Sequence, residues 1–132
     1  MTRRIAAITL ILMTSVANGN PLIGTWQSDE DRTLQEVRSI PNLPKKARDL
    51  FENNFFGKLK LTFTDKKMLS ESDGLKSEEP YEVVKKTDDS ITIKTWSELL
   101  NRYDEITYYI EGQSIYVFTS KYNFKEYFKR IK

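Results

Sequence analysis

The sequence predicts a mainly β domain, an eight-stranded antiparallel up-and-down barrel with a helix-turn-helix between the first two strands. Apolar residues alternate with polar ones at Leu59, Leu61 and Phe63 and in later segments, which is typical of half-buried strands. Tight turn signals such as Asp88-Asp89 and Gly112-Gln113 alternate with longer connections. Because successive turns of a meander lie at opposite ends, we expect a base with tight turns and a mouth with longer connections.

Eight segments carry strand patterns, and the longer connections between them are predicted at 73–80, 97–103 and 120–123. Eight short strands that close on themselves enclose room for side chains or for one small ligand. The predicted strands are, in chain order, 22–28, 59–63, 68–72, 81–86, 90–96, 105–111, 114–119 and 124–131.

Residues 29–56 have a helical rather than a strand period. Leu34 and Val37 recur at helical spacing until Pro41, and a second stripe of apolar residues follows Pro44. Two helices this short do not fold alone, so we expect them to cover a surface of the barrel.

The N-terminus has the pattern of a secretory signal peptide. Arg3 and Arg4 precede an apolar run over 5–13, and small residues follow at Ser15 and Ala17. The run is too short to span a bilayer as a helix, so we expect no stable membrane anchor. The predicted organisation is a signal peptide over 1–19 and one domain over 20–132, in a protein that is periplasmic or secreted.

Composition narrows the function classes. When the two arginines of the predicted signal are left out, 19 basic and 19 acidic residues remain, so the formal net charge is zero. This lack of positive charge argues against a nucleic-acid partner. The chain has no cysteine and no histidine, which excludes disulfides, thiolate and histidine metal sites and imidazole-based catalysis. Helix capping and turn chemistry explain the acidic clusters 29–31 and 88–89. We therefore expect no enzyme, no cofactor and no metal.

Gly24-Thr25-Trp26 resembles the G-x-W signature of lipocalins and fatty-acid-binding proteins, the calycin superfamily. Arg130 is similar to the basic residue that these families place on the last strand. The resemblance implies a lipocalin-like barrel whose base is plugged by Arg130 stacking on Trp26 through a cation–π contact. The helical pair resembles the portal of fatty-acid-binding proteins. Their terminal R-x-Y is missing here, since Ile131 follows Arg130, so no fatty-acid ligand is implied.

The aromatic residues and one carboxylate are the candidate ligand-binding groups. The strand phase could turn several aromatic residues inward, either to fill the core or to line a narrow cavity. Trp96 and Tyr103 bracket the predicted mouth loop. The candidate inward aromatic residues are Phe63, Tyr81, Tyr108, Phe124 and Phe128.

Glu126 shares the strand phase of Phe124, Phe128 and Arg130, which could place it inside the barrel. A buried carboxylate must be paired or protonated. A structural ion pair, a bulge that turns it to solvent, and a role in ligand recognition or acid–base chemistry are the alternatives. The predicted ligand-binding set is Phe63, Tyr81, Trp96, Tyr108 and Glu126.

Two functions agree with these observations. The first is an exported carrier or sensor that holds a small apolar or amphiphilic molecule in a lidded barrel. The second is a protein–protein interaction or inhibitor module of the bacterial envelope, with a filled barrel. The candidate partners are accordingly a small ligand or an envelope protein.

Overall fold

A computed structural model describes residues 19–119 and 121–132, and the predicted fold class is confirmed. The signal peptide predicted over 1–19 lies outside the described residues, except for Gly19. The strands are β1 (Gly24–Ser28), β2 (Lys60–Phe63), β3 (Lys67–Ser72), β4 (Leu75–Lys86), β5 (Ser90–Ser97), β6 (Arg102–Glu111), β7 (Ser114–Phe118) and β8 (Lys125–Arg130). The helices α1 (Glu30–Arg38) and α2 (Lys45–Glu52) lie between β1 and β2.

The strands form a closed barrel in chain order, and β8 pairs with β1. Trp26 faces Leu61 of β2 on one side and Arg130 of β8 on the other. The Thr25 amide donates to the Lys132 carbonyl oxygen at 3.0 Å, and the Ile131 amide donates to the Thr25 carbonyl oxygen at 2.9 Å. These bonds continue the ladder to the end of the chain, so the sheet has no free edge.

One predicted connection is wrong. Residues 73–80 form a two-residue turn, Asp73-Gly74, followed by the first half of β4. Both turn residues have positive φ, 52° and 81°, which is the geometry of a tight hairpin. The strand went unrecognised because residues 75–80 are largely exposed and so carry no buried alternating face.

Side chains fill the middle of the barrel. Trp26, Phe63 and Ile91 are at most 1% exposed and belong to one continuous core. The Phe63 ring contacts the rings of Tyr81 and Tyr108 at centroid distances of 5.7 and 5.5 Å. The interior is therefore packed with side chains at this level.

The two helices and their connections, residues 29–57, form a lid over the end of the barrel that we call the mouth. The Asp29 side chain accepts a hydrogen bond from the Arg32 amide and caps α1. Thr33 Oγ1 accepts from the Tyr127 amide of β8 at 2.9 Å. At its other end, the Gly57 amide donates to Ser28 Oγ at 2.8 Å. Both ends of the lid are thus bonded to the barrel.

A second apolar cluster lies beneath the lid, separate from the barrel core. Its buried members are Leu34, Val37, Leu43, Phe51, Phe56 and Phe124. Among the described residues, no helix is long and apolar enough to cross a bilayer.

The opposite end, the base, is closed by Trp26 and Arg130. The Arg130 guanidinium carbon lies 4.2 Å from the centre of the Trp26 ring. The same guanidinium donates to the carbonyl oxygens of Ile23 and Pro21 at 3.1 and 2.9 Å. Trp26 Nε1 donates to the Leu22 carbonyl oxygen at 2.9 Å. The cation–π contact expected from the sequence is present, and it ties the N-terminal segment to β8.

We predict that Trp26→Ala lowers the free energy of unfolding by about 3–5 kcal/mol, because it removes a fully buried indole and leaves a cavity. Trp96→Ala is the control, since Trp96 lies half-buried on the outer face, and we expect a loss of about 1 kcal/mol or less. Urea denaturation measures both. Equal losses would contradict the assignment of Trp26 to the base.

We predict that Gly24→Ala also destabilises the barrel, by about 1–3 kcal/mol. Gly24 has φ of 137°, and a Cβ there would lie 2.5 Å from Arg130 Nη1 and 2.6 Å from the Lys132 carbonyl oxygen. Gly74→Ala is the matched control, because Gly74 also has positive φ but open space around it. Thermal denaturation measures both variants, and we expect a larger fall in melting temperature for Gly24→Ala than for Gly74→Ala. The difference reports the steric clash of the new Cβ atom, because the backbone strain is common to both variants.

Candidate functional site

An apolar cleft of about 640 Å³ opens at the mouth, between the lid and the β7–β8 connection. This volume is within the range of small-molecule sites. The residues that line it come from α2 and the proline before it, from the segment that follows α2, from the β7–β8 connection and from β8. They are Pro44, Lys46, Ala47, Leu50, Phe51, Phe55, Phe56, Thr119, Lys121, Tyr122, Phe124 and Glu126.

Phenylalanine rings build the wall of this cleft. Phe51, on the apolar stripe of α2, stacks on Phe56 with ring centroids 5.6 Å apart and meets Phe124 edge-on at 5.4 Å. The backbone turns back after α2 at Asn54, whose φ is 58°, and this places Phe55 and Phe56 beside the helix. Ring pairs of this geometry make a rigid apolar surface.

Two apolar side chains of the cleft remain half-exposed. Leu50 is 54% exposed and Phe55 is 51% exposed, although both lie beside buried phenylalanines. Apolar side chains that stay open to water in a concave site are typical of a ligand-binding groove.

Glu126 is the carboxylate that lines the cleft. It lies opposite Val117 on β7 and in the same strand phase as the buried Phe128, so its side chain faces the inside of the barrel. Burial raises the pKa of this carboxyl above its ordinary value. Within 19–119 and 121–132, no side-chain hydrogen bond or ion pair reaches Glu126, so the structural ion pair considered above is not formed there.

Tyr108 of β6 is buried in the barrel core, toward which the strand phase turns Glu126. Burial, and then the negative charge of Glu126, raises the pKa of the Tyr108 hydroxyl. That hydroxyl points to Met68 Sδ at 3.9 Å, within the barrel core. The carboxyl therefore lies between the apolar cleft and the filled interior.

Two ammonium groups lie at the outer rim. Lys46 and Lys121 line the cleft and are exposed, and Lys121 Nζ lies 5.5 Å from the Tyr122 ring centre. Neither forms an ion pair with Glu126 among the described residues. The cleft thus has apolar walls, one carboxyl at its inner end and positive charge at its opening.

The structure does not bring the five predicted ligand-binding residues together. Phe63, Tyr81 and Tyr108 lie in the filled interior. The Tyr81 hydroxyl accepts from Asn20 Nδ2 at 2.7 Å and donates to the Thr64 carbonyl oxygen, so its bonding capacity is used near the base. Of the five, Glu126 lines the mouth cleft.

Trp96 lies at the mouth end, as expected, but on the outer face of the barrel. The neighbouring Thr95 is buried, so Trp96 takes the outward phase of β5. Its ring meets Tyr103 of β6 edge-on at 4.9 Å, beside a shallow outer groove. It is therefore separated from the cleft by the sheet.

Sequence reasoning missed the residues of the cleft wall. The apolar stripe predicted after Pro44 continues through Phe51 to Phe55, but α2 ends at Glu52, so Phe55 and Phe56 lie beyond the helix. The available signal was the density of phenylalanine just after the helix and before Gly57.

Among the described residues, no group of three or more acidic side chains has the geometry to hold a metal ion.

Comparison of the chain with protein-family models gives no match, and no curated protein or solved structure matches it.

We predict that Glu126→Gln raises the free energy of unfolding at neutral pH. Because the folded-state pKa is raised, the folded protein binds this proton more tightly than the unfolded chain, so stability falls as pH rises above the ordinary value of 4.5. Glutamine does not titrate, so the variant does not lose stability in this way as pH rises. Below pH 4.5 the parent carboxyl is protonated in both states, and the variant is no longer more stable than the parent. Urea denaturation from about pH 4 to about pH 8 measures the difference between variant and parent. A variant less stable than the parent at neutral pH would show that Glu126 has a stabilising partner.

Proposed function

We propose that this protein binds a small apolar or amphiphilic molecule in the mouth cleft, as a carrier or a sensor. The observation that carries the proposal is the half-exposed apolar surface of Leu50 and Phe55 beside a rigid phenylalanine wall. A ligand that covers these side chains would remove apolar area from water, at roughly 25 cal/mol for each Å².

The proposed site differs from the barrel interior that the sequence indicated. Phe63 and Tyr108 already contact each other where a lipocalin-like ligand would lie. A molecule in the interior would have to displace these rings from a close-packed core. A molecule in the mouth cleft needs no such rearrangement, which supports the cleft as the binding site.

The proposal includes export and a distant relation to lipocalins and fatty-acid-binding proteins. The positive and apolar N-terminal segment, residues 3–13, supports export to the periplasm or the medium. The contact of Trp26 with Arg130, together with the glycine at position 24, supports the relation.

The second candidate function is a protein–protein interaction or inhibitor module. Large apolar side chains are exposed at two other places of the mouth end, at Leu75 at the start of β4 and at Leu99 and Leu100 in the β5–β6 connection. Exposed apolar residues of this kind favour contact with a protein surface. In this case the cleft would receive one side chain of the partner.

We predict that the uncharged fluorophore N-phenyl-1-naphthylamine binds to the cleft with increased emission. Leu50→Ala and Phe55→Ala should each weaken its binding about fivefold, because each removes apolar contact area while little of the fold depends on these exposed side chains. Leu99→Ala is the control, since Leu99 is 93% exposed and does not line the cleft. Fluorescence titration gives the dissociation constants.

The two candidate functions give different results. Equal binding by all three variants would place the fluorophore elsewhere and contradict the proposed cleft. Native mass spectrometry of the protein purified from its own host gives an independent reading, because a carrier retains a small molecule. A protein that carries none and binds no fluorophore, but captures an envelope protein through Leu99 and Leu100, would be an interaction module.

A further inference from the structure

We propose that the ligand of the mouth cleft is an amphiphile with a protonated amine as its polar group, and that Glu126 binds this amine. The inference rests on the proposed function and specifies its ligand class. Its geometric basis is one carboxyl group at the inner end of a cleft whose walls are phenylalanine rings.

The first argument is the missing partner of Glu126. A carboxylate taken from water without a hydrogen-bond donor is unfavourable, and proteins pair such groups. Within the described part of the chain, no protein donor forms a hydrogen bond or an ion pair with the Glu126 side chain. A ligand ammonium would supply up to three donors and a compensating charge at this position.

The second argument is that three cations on β8, α1 and β6 have partners other than Glu126. Lys125, the neighbour of Glu126 in β8, lies on the outer face with its Nζ 4.7 Å from the Tyr116 ring centre. Arg32 forms an ion pair with Glu111 and lies over the Tyr127 ring. Arg102 bonds to Asp104 at 3.0 Å on its own strand. These contacts leave the carboxyl available to a ligand.

The third argument is the match between the wall and an organic cation. The faces of aromatic rings attract ammonium groups, and Phe51 and Phe124 line the same cleft as Glu126. An alkyl or aryl tail would extend from the carboxyl toward the half-exposed Leu50 and Phe55. This orientation leaves Lys46 and Lys121 at the rim, away from the ligand ammonium.

Three probes with the same twelve-carbon chain separate the polar groups: dodecylammonium, dodecanol and dodecanoate. Isothermal titration calorimetry at neutral pH gives their affinities for the full chain, below the micelle concentrations of the two ionic probes and below the solubility limit of dodecanol. We expect dodecylammonium to bind about tenfold more tightly than dodecanol, and dodecanoate to bind more weakly than either.

Glu126→Gln keeps the shape of the side chain and removes its charge. We expect it to weaken dodecylammonium binding about tenfold and to leave dodecanol binding unchanged. Glu98→Gln is the matched control, because it removes one negative charge from an exposed position at the same end of the barrel. It should change neither affinity. Far-ultraviolet circular dichroism of both variants confirms that the barrel is folded.

The remaining outcomes overturn the inference in distinguishable ways. Equal binding of all three probes, unchanged by Glu126→Gln, would retain the proposed cleft and remove the amine. Tightest binding of dodecanoate, lost in Lys46→Met with Lys121→Met, would place the polar group at the rim. Failure of all three probes to bind would contradict both the amine and the proposed function.

Discussion

The pairing of β8 with β1 is the constraint on which the rest of the structure depends. The ladder from Trp26 and Arg130 through the amides of Thr25 and Ile131 turns a meander of short strands into a closed barrel. Without this pairing both terminal strands would be open edges, and the inward faces would have no opposite wall. The arginine also stacks on the tryptophan, so one side chain completes both the sheet and its base.

Closure at the base determines where a site can exist. Eight short strands enclose a narrow space, and large aromatic side chains occupy it. The lid is bonded to the barrel at Thr33 and Gly57, and the cleft opens between α2 and the β7–β8 connection, beside the contact of Phe51 with Phe124. The molecule therefore has a second apolar cluster with an open side, at the mouth, where the barrel interior ends.

The sequence predicts the barrel better than the cleft, and the reason is physical. Leu61 and Phe63 alternate with polar residues because they belong to a strand. Position 24 is a glycine because the Arg130 side chain passes close to its backbone. The start of β4 was missed because residues 75–80 are exposed on both faces. The position of Phe55 depends on the backbone turn at Asn54, which no periodic pattern encodes.

Glu126 links the stability of the barrel to its proposed role. Its strand phase is predictable from the sequence, whereas its lack of a partner in the described part of the chain is seen only in the structure, where Lys125 and Arg32 contact Tyr116 and Tyr127. An apolar residue at position 126 would remove the desolvation cost that raises its pKa, and would pack against Val117. The Glu126 carboxyl lowers the stability of the folded protein as long as it has no hydrogen-bond donor. A ligand that supplies this donor would explain why a carboxyl occupies the point where the apolar cleft meets the core. The same group then weakens the empty protein and strengthens the complex, since a ligand that binds only the folded state stabilises it by mass action.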